Sequence, residues 1–193
     1  MKKTILIAML CVCAIGVSQE KMVSKSAKVI FEASVPSFEE VKAVNRNVTF
    51  VLNPATGEIA SLALMKGFQF KVALMEEHFN ENYIESDQYP KAVFKGKIEG
   101  FDLQSLSADA KDFIIKGKLE LHGKSRDINT AAKISRSPSG VSISCNFSVN
   151  ASDFNIEIPN LVKSKLSNKI NIQVVAVLGT KDNNLLNTIL KSQ

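Results

Sequence analysis

The chain has no tryptophan, two tyrosines and two histidines. With so few polar aromatic tips, an apolar interior built from it is walled mainly by its eleven phenylalanines. Such a wall offers a ligand almost no hydrogen-bonding handle. The two histidines, His78 and His122, stand in no local cluster of acids or thiols. Structural zinc needs four ligands and catalytic zinc usually three from protein, so the sequence gives no metal site and calls for no cofactor. There is no Gly-rich phosphate loop and no Gly-x-Ser-x-Gly nucleophile elbow, which leaves phosphate-cradling and serine-hydrolase chemistry without their motifs. A basic stripe is missing too. The formal net charge is +5, but the lysines are interleaved with acids, so nothing points to nucleic acid. No Gly/Ser-rich or Pro-rich linker divides the 193 residues, a length that suits one domain.

Long apolar runs are also lacking. The longest opening stretch, Ile5 to Val17, has 13 residues, whereas a spanning helix needs about 20. Preceded by Lys2 and Lys3 and followed by Ser18 and Gln19, it has the charge, apolar core and small exit of an export signal over residues 1–19. The mature domain is then residues 20–193, periplasmic or secreted, with no stable membrane span. Leu10 precedes Cys11 and Val12 precedes Cys13. Lipid attachment favours a small residue there, so the order argues against a lipoprotein. Removal of the signal leaves Cys145 alone, with no intramolecular disulfide. Cys145 sits in the alternation Val141, Ile143, Cys145, Phe147, Val149 and reads as a small core residue.

What the sequence has in quantity is period-two alternation. Phe113, Ile115, Gly117, Leu119 and Leu121 fall on one face, and Ile114, Lys116, Lys118, Glu120 and His122 on the other. Ile128 to Ile134 and Ile170 to Leu178 repeat the pattern. One apolar and one polar face is the signature of an antiparallel sheet buried on a single side. Strands are expected at 29–34, 46–53, 58–65, 92–99, 112–121, 127–135, 140–149 and 168–179. Turn residues separate them at hairpin distance: Asn53 to Gly57, His122-Gly123-Lys124, and Ser137-Pro138-Ser139-Gly140. A meander of eight such strands favours a closed barrel. The expected fold is all-β, an eight-stranded antiparallel lipocalin-like barrel with short helical segments. Helical spacing is confined to Lys71–Ile84, where Val72, Met75, Phe79 and Tyr83 recur, and to Pro159–Ser167 and Asn183–Lys191.

Four segments carry a resemblance. Phe79 to Ser86 followed by Tyr89-Pro90-Lys91-Ala92-Val93-Phe94-Lys95-Gly96, then Leu119 to Arg126 around His122-Gly123, then Phe147 to Phe154, then Asn171 to Val177, resemble in order and spacing the YceI-like family over roughly residues 27–180. Asn155 departs from that pattern, where many relatives carry glycine. The resemblance implies an exported barrel that holds a long apolar lipid (a polyisoprenoid, a quinone-like lipid or a fatty-acid derivative) and leaves a homodimer open.

The expected ligand-binding residues follow from that reading. Phe31, Phe50, Phe94, Phe113 and Phe147 wall the interior, with Ile115, Leu119, Ile172 and Val174 on the same inward faces. Met75, Phe79 and Tyr83 form a lid or rim on which His78, Asn80 and Asn82 meet a head group. The small inward residues Ala33, Ala63, Ala92, Gly96, Gly117, Ala132, Cys145 and Ala176 leave room. Two other readings stand beside this one. The first is an enzyme acting on a lipid or small molecule through His78 with Glu81, or through His122. The second is a partner-binding structural protein whose barrel is filled.

Overall fold

The computed structural model describes residues 20–180. The expected export signal at 1–19 and the expected helix at 183–191 lie outside the described residues. The strands are β1 (Met22–Ser34), β2 (Lys42–Leu52), β3 (Glu58–Leu64), β4 (Gln69–Phe70), β5 (Lys91–Ile98), β6 (Lys111–Leu121), β7 (Lys124–Ser137), β8 (Gly140–Asn150) and β9 (Leu166–Leu178). Each of the eight long strands pairs antiparallel with the next along the chain, and β9 returns to β1. The sheet is thereby a closed eight-stranded antiparallel barrel, which leaves no long unpaired edge. The two-residue β4 adds to β2 at one rim through Ala43↔Phe70.

Most strands begin earlier than the alternation suggests, β1 and β2 by the widest margins. β1 starts at Met22 and β2 at Lys42, rather than at 29 and 46. The ladder between them shifts register between Ser24 and Ala27 and again between Ala27 and Val29. A bulge inserts an unpaired residue and slips the inward phase, so a strict two-residue period is lost where the strand persists. The helical stretch is α1 (Ala73–His78) continued by a π-helical turn, Phe79–Tyr83. The one or two short amphipathic turns expected at 159–167 are a single 3-10 turn at Asn160–Val162. No helix among the described residues is long and apolar enough to cross a membrane.

The two ends of the barrel differ. At one end the chain turns tightly at 53–57 and 138–139, and the 99–110 connection folds beneath. Here Leu52, Ile98, Ile134, Val141 and Leu178 are wholly buried. At the other end lie the long connections, 35–41, 65–90 and 151–165. Along β8 the inward side chains pass from buried Val141, Ile143 and Cys145 to half-buried Phe147 and Val149. Along β9 the same change runs from buried Leu178, Ala176 and Val174 to half-buried Ile172 and Ile170. Inward residues lose burial toward one end because the lumen there is not filled by side chains.

Candidate functional site

The unfilled half of the barrel is a cavity of about 570 Å³, within the usual range of roughly 300–1,000 Å³ for ligand pockets. Its wall draws on every long strand. β1 gives Phe31, β2 Phe50, β3 Ala63, β5 Ala92 and Phe94, and β6 Ile115, Leu119 and Leu121. β7 adds Ile128 and Thr130, β8 Cys145 and Phe147, and β9 Ile172 and Val174. Met75, His78, Phe79, Tyr83 and Ile84 of the helical connection form the rim. Inside, the polar side chains are Ser61 and Thr130, and Thr130 donates its hydroxyl to the Asn146 carbonyl oxygen at 3.2 Å. The remaining polar groups, Glu39, His78, Tyr83, Lys165 and Ser167, stand around the mouth. Burial raises the Tyr83 phenol above its usual range, so it stays neutral and keeps its O–H as a donor.

Twelve of the fifteen residues expected to meet ligand therefore face one cavity. The exceptions are Phe113, which packs against Phe101 at the closed end, ring centroids 6.4 Å apart, Asn80, whose side-chain amide donates to the Glu76 carbonyl oxygen at 2.8 Å, and Asn82, which is exposed outside the cavity. The small inward residues divide in three. Ala33, Ala63, Ala92 and Cys145 face the cavity, whereas Ala132 and Ala176 are buried in the closed half without touching it. Gly96 and Gly117 lie directly opposite each other on β5 and β6, and the space over them is taken by the Phe94 ring. A Cβ on either glycine would meet Phe94 Cζ at 2.7 or 2.6 Å.

Several wall residues escaped the sequence reading. Phe68 and Phe70 join Phe31 and Phe79 in a cluster with centroids 5.2 to 6.2 Å apart, tilted and edge-on as ring quadrupoles prefer. Ile156 and Ile158 line the mouth from the 151–165 connection. The two-residue spacing in Phe68-Gln69-Phe70 and Ile156-Glu157-Ile158 was the available signal.

The two histidines part company. His78 lies on the cavity rim and forms no ion pair with Glu81. The turn from Phe79 to Tyr83 is π-helical, closed by Ile84 N–H donating to the Phe79 carbonyl. The extra residue per turn rotates Glu81 off the three-residue neighbour position it would hold on an α-helix. His122 sits outside the cavity, 9% exposed, at the first position of the two-residue hairpin between β6 and β7. Its φ is 49° and that of Gly123 is 69°, both positive as a type I′ turn demands. Asn is the usual residue there; a histidine is held by its ring. Nδ1 lies 3.0 Å from the Phe154 carbonyl oxygen and Nε2 2.8 Å from Glu85 Oε2, with Tyr89 packed on the face at 4.3 Å between centroids. Both ring nitrogens are thereby engaged. The imidazole thus ties three connections at the mouth end. Glu85 and Asn155, which flank these bonds, are also left-handed, at φ 47° and 57°. Asn155 stands where glycine was expected because asparagine tolerates that conformation best after glycine.

Cys145, the free thiol of the described residues, is held at a pKa of about 11 by burial. The thiolate is the nucleophile. Alkylation by iodoacetamide at pH 8 is therefore expected to run roughly a hundredfold slower in the folded protein than in denaturant. Mass spectrometry of timed samples measures it, and a folded rate within tenfold of the unfolded one would refute the burial assigned to this residue.

No group of three His, Cys, Asp or Glu residues able to hold a metal comes together among the described residues. The sequence profile of the YceI-like domain matches residues 20–178. No curated protein matches the sequence. Among solved structures, a polyisoprenoid-binding domain from Saccharophagus degradans superposes with a TM-score of 0.72 at 14% identity, covering 84% of this chain and 99% of that one. BcnA from Burkholderia cenocepacia gives 0.64 at 16% identity, with 78% and 96% covered. The YCEI protein of Campylobacter jejuni gives 0.55 at 20%, with 74% and 88% covered. At these identities the likeness is one of fold.

Proposed function

The chain belongs to the YceI-like domain family, and from that premise we propose that it binds one long apolar lipid in the open half of its barrel. The observation that carries the reading is the cavity itself, about 570 Å³, apolar inside but for the Ser61 and Thr130 hydroxyls, with its ionisable groups at the mouth. That distribution sets the orientation: tail toward Ile115 and Val174, head group among His78, Tyr83 and Lys165. Burying ten methylenes is worth about 8 kcal/mol at ~0.8 each. The aromatic wall is already assembled by Phe31, Phe68, Phe70 and Phe79, so little is lost in ordering it. The fold neighbour from Saccharophagus degradans is a polyisoprenoid-binding domain, which makes a branched isoprenoid chain the first ligand to try.

Binding rather than catalysis is the reading because both ring nitrogens of His122 are engaged and His78 forms no ion pair with a carboxylate among the described residues. A carrying or storing role outside the cytoplasm follows from the export pattern of residues 1–19. Native mass spectrometry of protein purified from its own compartment tests the binding. The expected spectrum shows a lipid adduct, or takes one up when a polyprenol is added. Repeated ligand-free preparations that also refuse polyprenol and fatty acid would overturn it.

A further inference from the structure

One inward position on β3 departs from the apolar wall around it. Ile59, Ser61 and Ala63 alternate along this strand and all line the cavity. The Ser61 hydroxyl has no hydrogen-bond partner among the described residues. Thr130, the other hydroxyl inside, is already committed, lying 3.2 Å from both the Ala131 and the Asn146 carbonyl oxygens. Ser61 thus presents a free O–H donor to the lumen.

Its surroundings offer that donor nothing. The residues directly across on the two neighbouring strands are Phe50 on β2 and Phe94 on β5, with β-carbons about 5 Å away on the same face. The backbone on both sides is spent in the ladders to β2 and β5. Packing does not call for a serine either, since alanine fills the same room at Ala63 and Ala92 on the same wall. Nor is Ser61 at the mouth. It stands three residues before Leu64, where β3 ends, so roughly 10 Å of strand below the rim at ~3.3 Å per residue.

A bare hydrocarbon laid over Ser61 strips the hydroxyl of water and returns no acceptor. A buried donor left unpaired costs about tenfold in affinity. A guest with an oxygen at that level accepts the bond and escapes the cost. Sites that hydrogen-bond a guest reject analogues lacking the group in this way. We infer that Ser61 selects long chains that carry a hydrogen-bond-accepting oxygen (a ketone, a hydroxyl or an ester carbonyl) part-way along their length, over bare hydrocarbon chains of the same size. This rests on the lipid-binding reading and adds to it the chemistry of the guest below its head group.

The test is a positional scan. Stearic acid and a set of oxo-stearic acids, the ketone moved stepwise along the chain, compete with a fluorescent fatty acid for the purified chain. The wild type is expected to prefer the isomers whose ketone reaches Ser61 over stearic acid by about tenfold, and to treat the others no better than stearic acid. In Ser61→Ala the ratio between the preferred isomer and stearic acid falls to near one. Ser61→Thr, which keeps the hydroxyl, retains most of it. Thermal unfolding confirms that both variants are folded, and a ratio within one protein is insensitive to small changes in stability. Wild type that binds stearic acid and every isomer equally overturns the selection and leaves the lipid-binding reading standing. A preference that survives in Ser61→Ala also overturns it, since another group then reads the oxygen. Failure of every chain to compete overturns both readings.

Discussion

Replacing Ala63 and Cys145 together by phenylalanine is expected to cost roughly a hundredfold in affinity for an apolar chain while leaving the barrel folded. The two residues lie on β3 and β8, four strands apart around the eight-strand circuit, and so on opposing walls of the lumen. Each new ring projects into vacant space. Displacing about four methylenes of ligand removes ~3 kcal/mol at ~0.8 each, which is about two orders of magnitude in Kd. Overpacking is costly where side chains already interlock, but these rings enter a cavity, so Tm should move by only a few degrees. Titration with a fluorescent fatty acid or polyprenol reads the affinity, and thermal unfolding reads the fold. Unchanged affinity in a well-folded double variant would mean that the guest lies elsewhere.

The second large effect is on stability. Gly117→Ala is expected to cost about 3 kcal/mol, or on the order of 10 °C in Tm for a domain of this size. A methyl at residue 117 would stand 2.3 Å from the Lys95 carbonyl oxygen and 2.6 Å from Gly96 Cα. Both contacts are with backbone, which no rotamer change relieves. β5 and β6 would have to separate where the Phe94 ring now lies over the facing glycines. Thermal unfolding of the variant measures the loss, with Ala131→Gly on the outer face of β7 as a comparison at an uncrowded site. A Tm within 2–3 °C of the wild type, roughly 1 kcal/mol, would show that the sheet yields easily there.

These two sites show what the sequence could and could not tell. Alternation in 112–121, 140–149 and 168–179 was enough to give the strands, their inward faces and the closed meander. It placed Ile115, Phe147 and Val174 correctly on the lumen side. Parity says which side a residue faces, not its height along the axis. Phe113 and Leu119 share a face of β6, yet Phe113 meets Phe101 at the packed end and Leu119 meets the cavity. Nor does the size of a residue say what fills the room it leaves. Gly96 and Gly117 looked like vacancy, but the room belongs to a neighbouring ring. The rim was least legible. Its π-helical turn and its left-handed Glu85, His122 and Asn155 are held by contacts between distant segments. No local pattern announces such contacts. The bond from His122 to Glu85 joins residues 37 apart.

The plugged end has a consequence for how this protein meets its guest. Solid packing beneath Ile115 fixes the girth of the whole hoop, because the same eight staves run from the base to the brim. The chamber above is therefore standing before anything occupies it, and occupancy demands no folding step. Guests of different length or branching can be exchanged over evolutionary time by repainting the upper wall, while the foundation that makes the barrel a barrel stays untouched.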